Sequence, residues 1–377
     1  MSNNAMNFSV YNPILVPLLY FVLLLLSHFF CKFSGFFKLQ VAAEMVPSRY
    51  LSLDGFRGVL AFLVVYHHLI IAYRYHFLDG AWKIPDSRFY TLIGQGAVAG
   101  FFMMTAFLFW GRILNKGDFG AVKEFYVARL NRVLPAFLTS VALIFFVVGW
   151  ETNWVLSVDF NQLIEQVSAW LALGFLGAPD INGLKNTGVV NAYVFWTLKY
   201  EALFYLLLPF FSVFILRWYF LVLGLLVYYF IGSVPDYFFI NYFFLGAIVA
   251  FLYRVEWLRV KMQGIVGLVV LLVGLSSFYV LSDSAYSLVA LGPMFLIFFP
   301  VALGQDFFGG LSSVSARMIG LISYSMYLLH GIVIYVIFTQ WKSIDLFLLK
   351  AGLVFAIVYV LSVCSFRFIE YPFFSKK

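Results

Sequence analysis

Residues 56–75 read FRGVLAFLVVYHHLIIAYRY. An α-helix of that length rises about 30 Å, the thickness of the hydrocarbon core of a bilayer. The arginines, Arg57 and Arg74, stand near its ends, and the stretch between them is apolar except for His67 and His68. A helix on the surface of a soluble protein keeps one polar face; this one is apolar nearly all round and reads as a membrane span. Runs of the same kind recur at 13–31, 94–113, 133–150, 193–214, 217–232, 236–253, 263–281, 286–304, 318–339 and 346–366. The expected fold is an all-α polytopic membrane protein of about eleven transmembrane helices.

Composition agrees with that reading. Hydrophobic residues make up 64% of the chain and charged residues 11%, against about 45–50% and about 25% in soluble domains. A soluble core of this length cannot hide so much apolar surface, so lipid must cover it. A net charge of +7 would suggest nucleic acid in a soluble protein. Here it marks loops on one side of a membrane, and no nucleic-acid partner is expected. Cys31 and Cys364 lie at opposite ends of the chain, so they make neither a metal-ligand spacing nor a disulfide framework. No metal site is expected.

The loop charges set an orientation. Seventeen Lys and Arg, Arg57 included, fall in one alternating set of loops. Five fall in the other (Arg74, Lys83, Arg88, Lys185 and Lys342), and Lys199 and Lys350 lie inside spans. The positive-inside rule then puts the N-terminus outside and the C-terminus in the cytoplasm. The apolar run 14–30 has no basic residue ahead of it, and Val41-Ala42-Ala43 lies too far beyond it for a cleavage site. An uncleaved helix is therefore expected rather than a signal peptide. Residues 1–50 form this helix and an interfacial segment at 33–46; residues 51–377 form one membrane domain. Residues 163–176, in the longest outer loop, are too short to span and are expected to be re-entrant or interfacial.

Ionisable groups inside a bilayer cost about 2.5–3.5 kcal/mol each on the insertion scale, so each needs a reason. Arg57, the His67-His68 pair, Glu201 and His330 stand out. At about 100° per residue His68 comes within roughly 20° of Arg57 on one helix face, while His67 falls about 80° away. A rise of about 16–17 Å places His68 near the midplane when Arg57 sits at the cytoplasmic boundary. His330 lies about 18 Å along a helix entering near Met318, and Glu201 about 13–14 Å along one entering from the other face near Ala192. Two imidazoles and a carboxylate at one depth could form a base with its orienting partners, the usual means of activating a hydroxyl. In the plainer readings Arg57 snorkels or pairs with Asp54, each histidine is a hydrogen-bonded packing residue, and Glu201 neutralises Lys199.

Arg129 and Arg132, at i and i+3 just before a helix, share a face. Paired guanidinium forks suit a phosphorylated ligand, although ordinary cytoplasmic anchoring needs the same residues. Gly94, Gly96 and Gly100 are expected to serve close helix packing.

In chain order these residues resemble the acyltransferase-3 family of membrane acyltransferases. Leu53-Asp-Gly-Phe-Arg57-Gly, followed after ten residues by His68, resembles the N-terminal signature of that family. Phe101-Phe-Met-Met-Thr-Ala-Phe107 resembles its Phe-Phe-x-x-Ser-Gly-Phe motif, and Tyr126 through Pro135 its Arg-x-x-Arg segment. Trp196-Thr-Leu-Lys-Tyr-Glu201 resembles its Trp-Ser-Leu-x-x-Glu helix. Ser323-Tyr-Ser-Met-Tyr-Leu-Leu-His330 and Phe368-Ile-Glu370-Tyr-Pro372 resemble its closing motifs. Thr105 and Ala106 replace the usual Ser-Gly, and Lys199 replaces a small polar residue. These departures leave the chemistry in place and weaken any guess at the exact acceptor.

The resemblance implies a ten-helix core, with the 14–30 helix as an added span and no attached SGNH-type domain. It also implies transfer of an acetyl or other short acyl group from coenzyme A to a carbohydrate hydroxyl, often on surface polysaccharide. On this reading His68 is the general base, and Glu201 and His330 orient or assist it. Arg57, Arg129 and Arg132 bind the donor, holding the coenzyme A phosphates from the cytoplasmic side. The expected partners are an acetyl-CoA or other acyl-CoA donor, a carbohydrate or glycolipid acceptor and the lipid bilayer, with no tightly bound cofactor. The expected setting is a bacterial inner membrane. Direct transfer and an acyl-histidine intermediate both stay open. A proton-coupled transporter or flippase is the competing class, with the buried His and Glu as a proton relay. Its signs, inverted repeats and matching helix breaks, are not evident in the sequence.

Overall fold

The structure is a computed structural model and describes residues 10–43, 50–116, 122–214, 238–341 and 346–374. The helices among them are α1 (Leu15–Phe33), α2 (Gly35–Ala43), α3 (Leu51–Phe77), α4 (Arg88–Lys116), α5 (Val122–Glu151), α6 (Phe160–Leu171) and α7 (Trp196–Phe214). They continue with α8 (Ile240–Leu252), α9 (Glu256–Gln263), α10 (Ile265–Leu281), α11 (Leu288–Ala302), α12 (Val314–Leu321), α13 (Ser323–Gln340) and α14 (Phe347–Ser365). A short turn of 3-10 helix, Thr187–Asn191, precedes α7, and a π-helical turn, Phe366–Glu370, follows α14. The described residues contain no strand, only a bridge between Ile181 and Leu184.

Among the described residues five helices, α1, α3, α4, α5 and α14, are long and apolar enough to cross a membrane. Two bent pairs, α9 with α10 (76°) and α12 with α13 (65°), raise that number to seven if each pair is one span. The described residues thus carry part of the expected eleven. The spans expected at 236–253 and 286–304 form shorter helices, α8 with 13 residues and α11 with 15. The span expected at 217–232 lies outside the described residues. The span expected at 193–214 starts only at Trp196. Ala192 and Tyr193 just before it are left-handed, a conformation an α-helix cannot include.

The outer surface shows why lipid is required. On α1, Val16, Leu23, Ser27 and Cys31 are buried against the bundle. The opposite stripe, Leu18, Phe21, Leu25 and Phe29, is exposed and no less apolar. On α10, Val269, Leu272, Val273 and Val280 are exposed in the same way. Water would penalise such surfaces at about 25 cal/mol per Å², whereas acyl chains do not. At one end of the bundle α6 keeps Trp170 buried and leaves Phe160, Ile164 and Leu171 exposed, the pattern of an interfacial helix.

α3 is central. Leu53, Leu60 and Val64 pack into one apolar cluster with α4, α8, α10 and α11. Phe62, Tyr66 and Ile70 pack into another with α1, α12, α13 and α14. Its axial position is set where it meets α12 backbone to backbone. A Cβ on Gly320 would lie 1.8 Å from Asp54 O, and one on Gly58 would lie 2.9 Å from Gly320 N. Only small residues allow that approach, and it fixes the height of Arg57 and His68 against α13, which continues from α12.

Candidate active site

α3 and α13 bring His68 and His330 into contact. His330 Nε2 lies 3.1 Å from His68 Nδ1. Each ring also places its Nδ1 3.1 Å from the carbonyl one turn back, Val64 O for His68 and Met326 O for His330. A carbonyl only accepts, so the hydrogen-bond partners assign a proton to both Nδ1 atoms. His330 Nε2 is then the acceptor that faces the His68 Nδ1–H. The lone pair of His68 Nε2 is left uncommitted among the described residues. That is the protonation pattern of a general base with an orienting partner.

His67 turns elsewhere. Its Nδ1 is 2.7 Å from Tyr90 O, and its ring occupies the space beside Gly94, where a Cβ would come within 2.1 Å of it. The roughly 100° between consecutive side chains therefore turns His67 to packing and His68 toward His330, and the expected packing role of Gly94 is visible here.

A cavity of about 930 Å³ occupies the end of the bundle where α3 starts, α4 ends and α5 begins. Arg57, Arg112, Lys123, Arg129 and Arg132 line it, against the acidic Glu124 and Glu201. The excess of positive charge and the size suit an anionic ligand of cofactor dimensions. The Arg129 guanidinium lies over the Phe109 ring, 4.9 Å from its centre, a cation–π contact at the cavity wall. Arg132 Nη1 is 3.3 Å from Glu370 Oε2, and Glu370 is fully buried in the π-helical turn. The Ser325 hydroxyl donates to Glu370 and stands 2.7 Å from Ser365 Oγ.

Glu201 lines this cavity. It accepts a hydrogen bond from Tyr205 one turn on, and the charges of Arg129, Arg57 and Arg132 act on it. Among the described residues no bond or ion pair joins it to either imidazole. The sequence expectation counted its depth from Ala192. In the structure the chain before α7 is instead drawn into the bundle, where Asn191 and Ala192 pack on Gly331; a Cβ there would lie 2.3 Å from the Asn191 carbonyl carbon. α7 therefore starts at Trp196, and Glu201 lies on the wall of the basic cavity.

The six expected site residues thus fall into two groups, His68 with His330, and Glu201 with Arg57, Arg129 and Arg132. Tyr327 stands between them. It lines the cavity, its hydroxyl bonds to Thr197 (2.7 Å) and to Val194 O (3.0 Å), and its ring centre is 6.1 Å from that of His330. Tyr327, Tyr205 and Glu370 were not singled out from the sequence as site residues. The first lies three residues before His330 and the second four after Glu201, so helical spacing alone could have flagged both.

Comparison with known proteins follows the same residues. A family model described as an acyltransferase domain (acyltransferase-3) matches residues 50–367. A Haemophilus influenzae protein named only as uncharacterized is 31% identical over 118 residues, 29% of this chain and 45% of that protein. The chain thus spans less than half of that relative's length. No solved structure matches.

Proposed function

The chain belongs to the acyltransferase-3 family, and on that footing we propose that this membrane acyltransferase moves an acetyl or other short acyl group from acyl-coenzyme A to a carbohydrate hydroxyl on a cell-surface glycan. The observation that carries the reading is the His68–His330 contact, with His68 Nε2 left free to take a proton. In direct transfer the acceptor hydroxyl gives its proton to His68 Nε2 as its oxygen bonds to the thioester carbonyl carbon. The C–S bond breaks, and the departing thiolate takes the proton from the imidazolium. His330 Nε2 accepts the His68 Nδ1–H throughout, which holds the tautomer and supports the charge that forms on His68.

Arg57, Arg129 and Arg132 hold the coenzyme A phosphates, with charge-assisted bonds worth about 1.5–3 kcal/mol each. Glu201 assists from the donor side by ordering Tyr205 and the arginines around it. The geometry supports that role better than direct contact with His68. The donor cavity faces the cytoplasm of a bacterial cell, the N-terminus lies outside, and ten spans from the 51–377 domain join α1 to make eleven.

The test uses the full chain in proteoliposomes with acetyl-CoA labelled in its acetyl group. Free coenzyme A and labelled glycan should form without any ion gradient. Gradient-dependent uptake of a glycan with no thiol release would overturn the reading in favour of transport.

A further inference from the structure

At the end of the bundle opposite the basic cavity, the loop between α3 and α4 sets an indole beside the base. The Trp82 ring is nearly parallel to that of His68, at 14°, with centroids 6.4 Å apart. It also lies 5.8 Å from Tyr75 and 6.3 Å from Tyr193. One side chain holds the loop on both sides of Trp82, because the buried Arg74 is 2.8 Å from the carboxylates of both Asp79 and Asp86. Lys83, the Ala81 N–H and Arg74 keep the Asp79 carboxyl down to about 2, so this latch stays charged at any physiological pH.

Tyr193 is held just as firmly. Its backbone is left-handed, at φ 56°, and its N–H donates to Asn191 Oδ1 at 3.1 Å. Its ring fills the space that a Cβ on Gly188 would enter. Asn186 and Ala192 are left-handed too. Asn191 is fully buried, and its Nδ2 has no hydrogen-bond partner. The turn is locked against α13, since Asn191 packs on Gly331. His68 keeps part of its surface exposed although it is not a wall of the basic cavity. Trp82, Tyr193 and His68 thus meet as three partly exposed rings at one place.

We infer that Trp82 and Tyr193 form the acceptor subsite, taking a pyranose ring and setting one of its hydroxyls at His68 Nε2. A pyranose carries an apolar C–H face and a rim of hydroxyls. That pattern fits partly exposed aromatic faces beside an imidazole that can accept a hydroxyl proton. The inference rests on the acyl-transfer reading above and adds where the acceptor binds.

The experiment follows label from acetyl-CoA into the surface polysaccharide fraction of the cells that make the protein, using the full chain in proteoliposomes. Trp82→Ala and Tyr193→Ala should each raise the acceptor KM by about tenfold, with a much smaller change in kcat and in the donor KM. Trp82→Phe should recover most of the loss. An unchanged acceptor KM in both alanine variants would overturn the subsite. So would a fall in kcat alone that Phe does not restore, because Trp82 would then only support His68. Wild-type protein that consumes acetyl-CoA but labels no carbohydrate would overturn the subsite and leave acyl transfer standing. Wild-type protein that consumes no acetyl-CoA would overturn both.

Discussion

His330 Nε2 stands 3.1 Å from His68 Nδ1 while its own Nδ1 is committed to Met326 O. The second bond gives the first its direction, because a proton held at His330 Nδ1 leaves only a lone pair to face His68. On the proposed mechanism an imidazole takes the part that a carboxylate plays in many base-and-orienter pairs. It does so without placing a second charge in the low-dielectric interior, where an isolated charge is costly.

The pair predicts unequal losses. His68→Ala should remove transfer altogether, and His330→Ala should lower kcat by roughly 10²-fold or more while the donor KM stays put. His330→Gln offers a side-chain carbonyl to the same Nδ1–H and should recover part of that loss. Steady-state release of coenzyme A thiol measures all three. A normal kcat in His330→Ala would mean that His68 works without its partner.

His67 separates packing from chemistry. Its bond to Tyr90 O is buried, so His67→Ala should lower thermal stability by about 1–3 kcal/mol through the carbonyl left unpaired and the space left empty. Turnover per folded molecule should stay near wild type. Gly94→Ala should destabilise in the same way, because its Cβ collides with the His67 ring. Loss of kcat in His67→Ala equal to that in His68→Ala, at equal folded protein, would defeat the division of roles between the two.

Donor binding has its own signature. Arg129→Ala and Arg132→Ala should each raise the acyl-CoA KM about tenfold or more, the worth of one charge-assisted phosphate contact. Glu370 holds Arg132, so Glu370→Ala should raise the same KM, and Glu370→Gln, which keeps an acceptor, should do so less. The double variant Arg132→Ala with Glu370→Ala should be no worse than Arg132→Ala alone, since the carboxylate acts through that guanidinium. Additive effects would show that Glu370 serves the fold and not the arginine.

What could be read from the sequence was whatever a regular helix transmits. The face shared by Arg57 and His68, and the exclusion of His67 from it, follow from 100° per residue and survive in α3 because nothing interrupts that helix. The meeting of His68 with His330 could be read only as a common depth, since no periodicity says which neighbour a helix will touch. That Glu201 bonds to neither imidazole among the described residues could not be read from a depth counted along a helix from Ala192, because the left-handed residues at 192 and 193 keep α7 from starting there. Trp82 was illegible for a different reason. Its place depends on Arg74 reaching two aspartates in an irregular loop, and loop composition carries no such geometry. The Arg132–Glu370 pair joins segments from opposite ends of the domain, and both residues had already been read separately as parts of motifs.

The last prediction concerns sidedness. Lys123 is exposed and lines the cavity that holds Arg57, Arg129 and Arg132. Lys185 is exposed just before the turn that carries Asn191. On the proposed orientation the first lies in the cytoplasm and the second outside. Donor and acceptor then approach the His68–His330 pair from opposite ends, so only the acyl group has to pass between them. A cysteine at position 123 should therefore react with an impermeant maleimide only in inverted vesicles, and one at 185 only in right-side-out cells. Soluble coenzyme A analogues should protect the first and not the second, because the arginine cavity lies beside Lys123 alone. Labelling of position 185 from the cytoplasmic side would overturn the orientation. Protection confined to position 185 would put the donor at the aromatic end and reverse the assignment of the two substrates.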